Sequence, residues 1–282
     1  ALYNDNGKVS SIMSDLVKRQ PGAIASADSG ESHKLWTITE PEQVASLQSI
    51  FKPLSLYIAD GHHRYETALT YRDERRHSLP GFTGKEAFNF VMMTLVNTAD
   101  PGLLILPVHR LVRGVAPATL STLKKQLKDL FKIEEYTLGT ENSPRLEQLL
   151  EAMSKWGKSG IAIGLYGLKP KTFMILHRNE NVPVELMPPH TSPAYRNLEV
   201  SVLRHLVLEG MLGRGEADLT YTSQAAEALG RVASGEYQMA FLLNPLGVDK
   251  LQAVADAGER LPGKSTYFYP KLPTGLVINP LD

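Results

Sequence analysis

The chain has 282 residues, 43% of them hydrophobic, and no cysteine, which excludes disulfide scaffolds, thiol catalysis and zinc-thiolate sites. Lys+Arg and Asp+Glu number 30 each, and a formal net charge of zero disfavours a general nucleic-acid binder. No apolar run approaches the ~18 residues of a membrane span.

At about 150 residues per domain, the length predicts about two domains. Ala1 to Asn6 has no basic segment leading into an apolar one, so no signal peptide is read and the cytoplasm is the expected compartment. Leu2 to Asn4 followed by Asp5-Asn6-Gly7 predicts a strand end and a turn. A helix is expected over Ile12 to Arg19 and an alternating strand over Lys34 to Ile38. Thr39, with Glu42 three residues on, predicts a capped helix through Val44, Leu47 and Ile50. Leu54 to Ala59 reads as a buried strand running into Asp60-Gly61-His62-His63-Arg64, with a helix from about Tyr65 to His77. Further strands are expected at Phe88 to Val96 and at Leu103 to Leu106, the latter ending at Pro107-Val108-His109-Arg110.

The second half predicts a helix over Ala118 to Leu130, a strand over Lys132 to Leu138 and a helix over Arg145 to Lys155. Ile161 to Tyr166 and Thr172 to His177 read as paired strands around Gly167 to Pro170, and Arg178 to Ser192 as a loop or seam. A helix follows over Val200 to Leu212. Then come strand Leu219 to Thr222, helix Ser223 to Ala233, strand Gln238 to Leu243, helix Val248 to Ala257 and a last strand at Gly275 to Ile278. Alternating helices and strands predict a mixed α/β (α+β) fold. Two parts are expected, residues 1–115 and 116–282, with 258–282 available to return to the first part.

The chemistry concentrates at Asp60 to Arg64. A helix start presents N–H groups without intrahelical partners, a ready anion site. Arg64 adds a bidentate donor for phosphate or carboxylate. His62 and His63 can donate hydrogen bonds or move protons near neutral pH, and Asp60 can accept a proton or orient a neighbour. A helix cap alone accounts for Asp60, but it does not call for two His and an Arg. Adjacent His side chains project about 100° apart on a helix, so they do not suit one metal ion, and no metal site is assigned.

Gly258 to Ser265 spells Gly-x4-Gly-Lys-Ser, yet its flanks predict a helix before it and an extended segment after it. That is the reverse of a P-loop, and Pro262 removes one N–H. The polar residues Lys264, Ser265, Thr266 and Lys271 still suit a ligand wall, as they would suit an ordinary solvated turn. His109 and Arg110, at the end of an apolar run, are candidates for the same site. His33, His77, His177, His190 and His205 have no constellation around them.

Tyr57-Ile58-Ala59-Asp60-Gly61-His62-His63-Arg64-Tyr65-Glu66-Thr67-Ala68 closely resembles the hallmark of a bacterial and archaeal family, domain-of-unknown-function family 1015. The resemblance continues in Leu35 to Ile38, Gly102 to Arg110, Phe241 to Pro245 and Gly263 to Lys271. Members of that family extend further at the N-terminus, which implies that this chain is a C-terminal portion. The motif also resembles, more loosely, the phosphate box of the ParB and sulfiredoxin superfamily. Free-serine kinases of that superfamily carry a similar Asp-Gly-His-x-Arg, matched here by Asp60, Gly61, His62 and Arg64. Sulfiredoxins hold a catalytic Cys at the position of His62 and ParB proteins an acidic residue, so neither of their chemistries carries over.

The resemblance implies a ParB/sulfiredoxin-like nucleotide-binding core with additional α/β elements. It also implies ATP or ADP with Mg²⁺ as the cofactor. On this reading Asp60 and His62 are catalytic. Gly61, His63, Arg64, His109, Arg110, Lys264, Ser265, Thr266 and Lys271 hold phosphate. The expected function is nucleotide-dependent phosphotransfer to a small molecule, or nucleotide hydrolysis. The alternatives are a nucleotide- or metabolite-sensing module without catalysis, and a structural role in which the histidine cluster merely caps a helix.

Overall fold

The computed structural model describes residues 1–26, 30–79, 81–139, 144–178, 180 and 182–281. The fold is mixed α/β and divides into two units, Ala1–Leu103 with Pro270–Asp282, and Leu104–Tyr269. The sequence-based boundary lay near residue 115.

The first unit opens with β1 (Leu2–Tyr3), which pairs in parallel with β4 (Val96–Asn97) and makes an isolated antiparallel bridge from Leu2 to Tyr57. Between them come α1 (Lys8–Leu16), the hairpin β2 (Ala23–Ser26) and β3 (Ser32–Leu35), α2 (Pro41–Phe51) and α3 (His62–Ser78). The Asp5-Asn6-Gly7 turn works as a cap. Buried Asp5 accepts the N–H groups of Gly7 at 3.0 Å and Val9 at 2.5 Å, and the Asn97 side chain at 2.7 Å.

Three expected strands of this unit do not form as read. Leu54 to Ala59 is reduced to the bridge at Tyr57. Phe88 to Val96 gives a 3₁₀ turn at Ala87–Asn89 and only the two residues of β4. Gly275 to Ile278 forms no strand. Apolar composition predicts a strand, but a strand also needs a paired edge to satisfy its backbone groups.

Among its described residues the second unit is built on six antiparallel strands in the order Leu219–Thr222, His109–Val112, Met239–Leu243, Ile161–Tyr166, Thr172–Arg178 and Lys132–Thr137. In chain order its elements begin with β5 (Leu104–Leu106), β6 (His109–Val112), α4 (Pro117–Leu130), β7 (Lys132–Thr137) and α5 (Leu146–Gly157). β8 (Ile161–Tyr166), β9 (Thr172–Arg178), α6 (Pro193–Arg196) and α7 (Glu199–Val202) follow. Then come β10 (Leu219–Thr222), α8 (Ala225–Ala233), β11 (Met239–Leu243), α9 (Val248–Asp256) and β12 (Tyr267–Tyr269). The helix expected over Val200 to Leu212 is α7 continued by a π-helix, Leu203–Met211. β12 pairs with β5, so Tyr269 lies opposite Leu104.

Strand alternation splits the core of this unit into two layers. Met239, Phe241 and Leu243 of β11 join Leu123 and Leu127 of α4, Val200 and Val202 of α7, and the π-helix. Ala240 and Leu242 of the same strand face Leu149 and Met153 of α5 and Ala228 of α8. The Leu149–Met153 and Leu123–Leu127 pairs are i, i+4 neighbours, which is why those helices present one apolar stripe each. Gly164 of β8 is required by this packing: a Cβ there would come 2.6 Å from Phe173 and 2.7 Å from Met153. Among the described residues no helix is long and apolar enough to cross a membrane.

Candidate functional site

The Asp60 to Arg64 motif sits at the start of α3, the longest α-helix of the first unit at 17 residues. Gly61 is the N-cap residue, and its φ of 82° lies in the left-handed region that favours glycine. A Cβ at Gly61 would stand 2.9 Å from Nη2 and 3.1 Å from Nε of Arg64. The guanidinium therefore folds back over the glycine backbone, and a side chain there would displace it. Positive charge and the free N–H groups of the first turn are thus gathered at one place.

Asp60 is exposed and shares its carboxylate between two donors. Oδ1 accepts the Gly61 N–H at 2.8 Å and Oδ2 accepts Lys271 Nζ at 3.0 Å. The hydrogen bond from Lys271 is the main cause that holds the Asp60 pKa below the ordinary carboxylate value, outweighing partial burial. His62 and His63 are exposed, and His63 Nδ1 lies 3.5 Å from Glu66 Oε2. The structure thus brings together Asp60, Gly61, Arg64 and Lys271, the two ends of the ion pair being separated by 211 positions in sequence.

The remaining predicted residues belong to the second unit. His109 and Arg110 do not end a run of apolar residues; they open β6, an interior strand of the sheet, and both are buried. His109 Nδ1 accepts the Leu243 N–H at 3.2 Å, and burial together with the Arg110 charge lowers its pKa to about 4. The ring is therefore neutral at pH 7. Arg110 donates to the carbonyls of Val108 and, at 2.9 Å, of Lys264, and lies over the Tyr221 ring at 5.7 Å. Burial lowers its pKa to about 10. Both groups make structural bonds that tie β6 to β11 and to the 258–266 turn.

That turn is preceded by α9 and followed by β12, so the P-loop geometry is absent, as its flanks predict. Lys264 takes a positive φ of 57°, the Ser265 hydroxyl donates to the Pro262 carbonyl at 2.5 Å, and Thr266 is half-buried.

The second unit also holds a cavity of about 670 Å³ that the motif reading did not anticipate. Ser265 lines it, as do Lys158, Arg178, Lys250, buried Glu199 and half-buried Asn244. Glu199 accepts the backbone N–H groups of Ala162 at 3.1 Å and Asn244 at 3.0 Å, and the Asn244 side chain at 2.8 Å. Burial pushes its pKa up. The signal was legible in principle, as one carboxylate inside the apolar run Leu198 to Leu203. Among the described residues no group of three His, Asp or Glu could hold a metal ion.

A family model matches residues 1–201. The chain belongs to that family, DUF1015, described as a protein of unknown function. No curated protein matches it. Among solved structures, a conserved hypothetical protein from Pyrococcus furiosus is 15% identical, with 75% of this chain and 68% of that chain covered and a TM-score of 0.38. A free serine kinase in complex with AMP is 17% identical, with 82% and 81% covered and a TM-score of 0.38. A mutant free serine kinase in complex with ADP is 17% identical, with 82% and 81% covered and a TM-score of 0.38.

Proposed function

We propose that this DUF1015 chain binds a nucleoside di- or triphosphate at the start of α3 and transfers a phosphoryl group to a small-molecule hydroxyl. The observation that carries the reading is the Arg64 guanidinium folded over left-handed Gly61 at a helix N-terminus, with Lys271 beside it. Phosphoryl transfer asks the protein for positive charge on the phosphates and a base near the acceptor. The first turn of α3 supplies N–H donors, and Arg64 and Lys271 supply charge. His62 and Asp60 stand at the same helix start, where a proton could be taken from the acceptor. His63, exposed on the same first turn, is assigned a supporting contact. Mg²⁺ would sit on the nucleotide's own phosphates with Asp60 as a single carboxylate ligand, a ligand set that suits this ion.

A second reading, phosphate binding without transfer, is favoured by one contact. Lys271 clasps Asp60, so the carboxylate is held as an anion with one hydrogen bond on each oxygen, and its lowered pKa makes it a weak base.

Calorimetric titration of ADP and ATP into the full-length protein tests the shared step. Arg64→Ala is expected to weaken binding ~10–100-fold, since a hydrogen bond to a charged group is worth ~1.5–3 kcal/mol. Equal affinity in wild type and variant removes the phosphate site. Asp60→Asn and His62→Ala are then expected to lower turnover ~10²-fold or more while affinity changes less. If the nucleotide binds and no acceptor or water is turned over, the second reading replaces the first.

A further inference from the structure

His205, which has no neighbours of interest along the sequence, acquires them in the fold. Leu203–Met211 is a π-helix, a geometry far rarer than the α-helix and frequent at functional sites. Its wide turn lets one carboxylate meet side chains four and five residues earlier. Glu209 Oε2 lies 2.8 Å from His205 Nδ1, while Oε1 accepts Arg204 Nε at 2.8 Å. Arg204 Nη1 also donates to Glu216 Oε1 at 2.8 Å, which fixes the guanidinium from a second side. His205 Nε2 is 3.0 Å from the hydroxyl of Tyr195 on α6. Tyr195 and His205 are half-buried.

The partners dictate the protons. Burial works against the Glu209 carboxylate, but bonds from Arg204 and His205 outweigh it and hold its pKa below the ordinary value. An anionic acceptor draws the Nδ1–H of His205, so Nε2 keeps its lone pair and accepts the Tyr195 O–H. Burial raises the Tyr195 pKa, so the phenol stays protonated at neutral pH and needs a base at the moment of reaction. Arg204 acts on the phenol in the other direction, favouring its ionised form. A hydroxyl, a base in hydrogen-bond reach and an acid orienting that base are the arrangement of an activated nucleophile.

We propose that Tyr195, His205 and Glu209 form a reactive-hydroxyl site that takes a small, uncharged acyl ester. The charge around the phenol selects this class. Glu209 and Glu259 both act on Tyr195, and Glu216 lies on Arg204, which disfavours a polyanion. Acyl transfer develops a single negative charge, and the cationic Arg204 acts on the phenol where that charge begins. In the step, Tyr195 Oη attacks the carbonyl carbon and its proton passes to His205 Nε2. The bond from that carbon to the leaving oxygen breaks, and the leaving group departs with the electron pair. Tyr195 is left as an ester, His205 returns its proton to the leaving group or to water, and Glu209 keeps the Nδ1–H throughout. None of these residues belongs to the nucleotide reading, so the two stand or fall separately.

The test treats the full-length protein with p-nitrophenyl acetate and follows acetylation of each tyrosine by peptide mass mapping. Half-buried Tyr221 of the same unit serves as the internal reference, so partial unfolding moves both rates. Tyr195 is expected to react ~10-fold or more faster than Tyr221. His205→Gln and Glu209→Gln are each expected to reduce that ratio ~10-fold or more, the scale of general-base help. Nitrogen NMR of the wild type is expected to find the Nδ1–H tautomer at His205. Equal rates at Tyr195 and Tyr221, an unchanged ratio in His205→Gln, an acetyl group on His205 itself, or the Nε2–H tautomer would each overturn the proposal. The wild-type ratio and the tautomer decide it even if a variant fails to fold.

Discussion

The two units are built on different terms. The second rests on six paired strands whose alternate residues are buried on both faces. The first has, among its described residues, two two-stranded pairs, an α3 with no buried residue, and exposed Phe90, Val91 and Met92 where a strand is expected. Yet the residues with the clearest phosphate chemistry sit on the first. A sheet positions side chains through the accumulated packing of many residues. The Asp60 to Arg64 site is positioned by a turn, one left-handed glycine and a helix start. Substitutions in the two places should therefore fail differently.

The largest expected effect is on Phe241 of β11, which is fully buried. Phe241→Ala should cost about 3–5 kcal/mol of stability through lost burial and the cavity left behind. His62→Ala, on the exposed face of α3, should stay within about 0.5 kcal/mol. Denaturant unfolding of the two variants measures the contrast, and equal losses would break the comparison.

The next effect separates the units by acid. His109 is neutral in the fold because burial lowers its pKa from 6.5 to about 4. The unfolded chain binds this proton at higher pH than the folded one, so stability falls as the pH drops from about 6.5 to about 4. At about 1.4 kcal/mol per unit, the full loss is about 3 kcal/mol. His109→Asn should flatten that limb of a stability–pH curve relative to wild type. An unchanged slope would mean that His109 is not the group that titrates.

What was legible in the sequence follows the same division. Helices with an i, i+4 stripe, such as α4 and α5, and the paired strands β8 and β9, fall close to where their periodicity puts them, because side-chain period and burial coincide there. Leu54 to Ala59 is nearly as apolar, but no neighbouring edge completes it, and edges are set by residues distant in sequence. The motif itself was readable because Asp, Gly, His and Arg act locally. Its partner Lys271, 211 residues from Asp60, was picked out only as one cation in a polar aromatic stretch. His109 and Arg110 show the opposite error. Their polarity suggested a strand end facing ligand, whereas backbone partners from β11 and the 258–266 turn make them affordable inside the sheet. Within the Tyr195–His205–Glu209 relay, the His205–Glu209 pair follows i, i+4 spacing, whereas the Arg204–Glu209 contact, five residues apart, comes with the π-helix and escapes that rule.

The Asp60–Lys271 pair carries only a small stability effect, and it sharpens the comparison most. Both side chains are largely exposed, at 60% and 45%, so the pair gains little over solvation. Lys271→Met should change stability by less than about 1 kcal/mol. Its effect on the carboxylate should be plain all the same, because the Lys271 hydrogen bond is the first cause of the lowered Asp60 pKa. Without it the pKa should rise toward the ordinary 3.8. A depressed carboxylate contributes stability above its unfolded pKa and loses it as the pH falls through the folded value. The variant should therefore lose only a shallow acid limb below about pH 4, the ordinary range of an Asp carboxyl. Carbon NMR of the Asp60 carboxyl through an acid titration, in wild type and Lys271→Met, reads the shift directly. An unmoved pKa would show that the lysine is not what holds Asp60. A loss of several kcal/mol would show that the helix start is braced by its surroundings, as β6 is, and is not the locally built site that the motif describes.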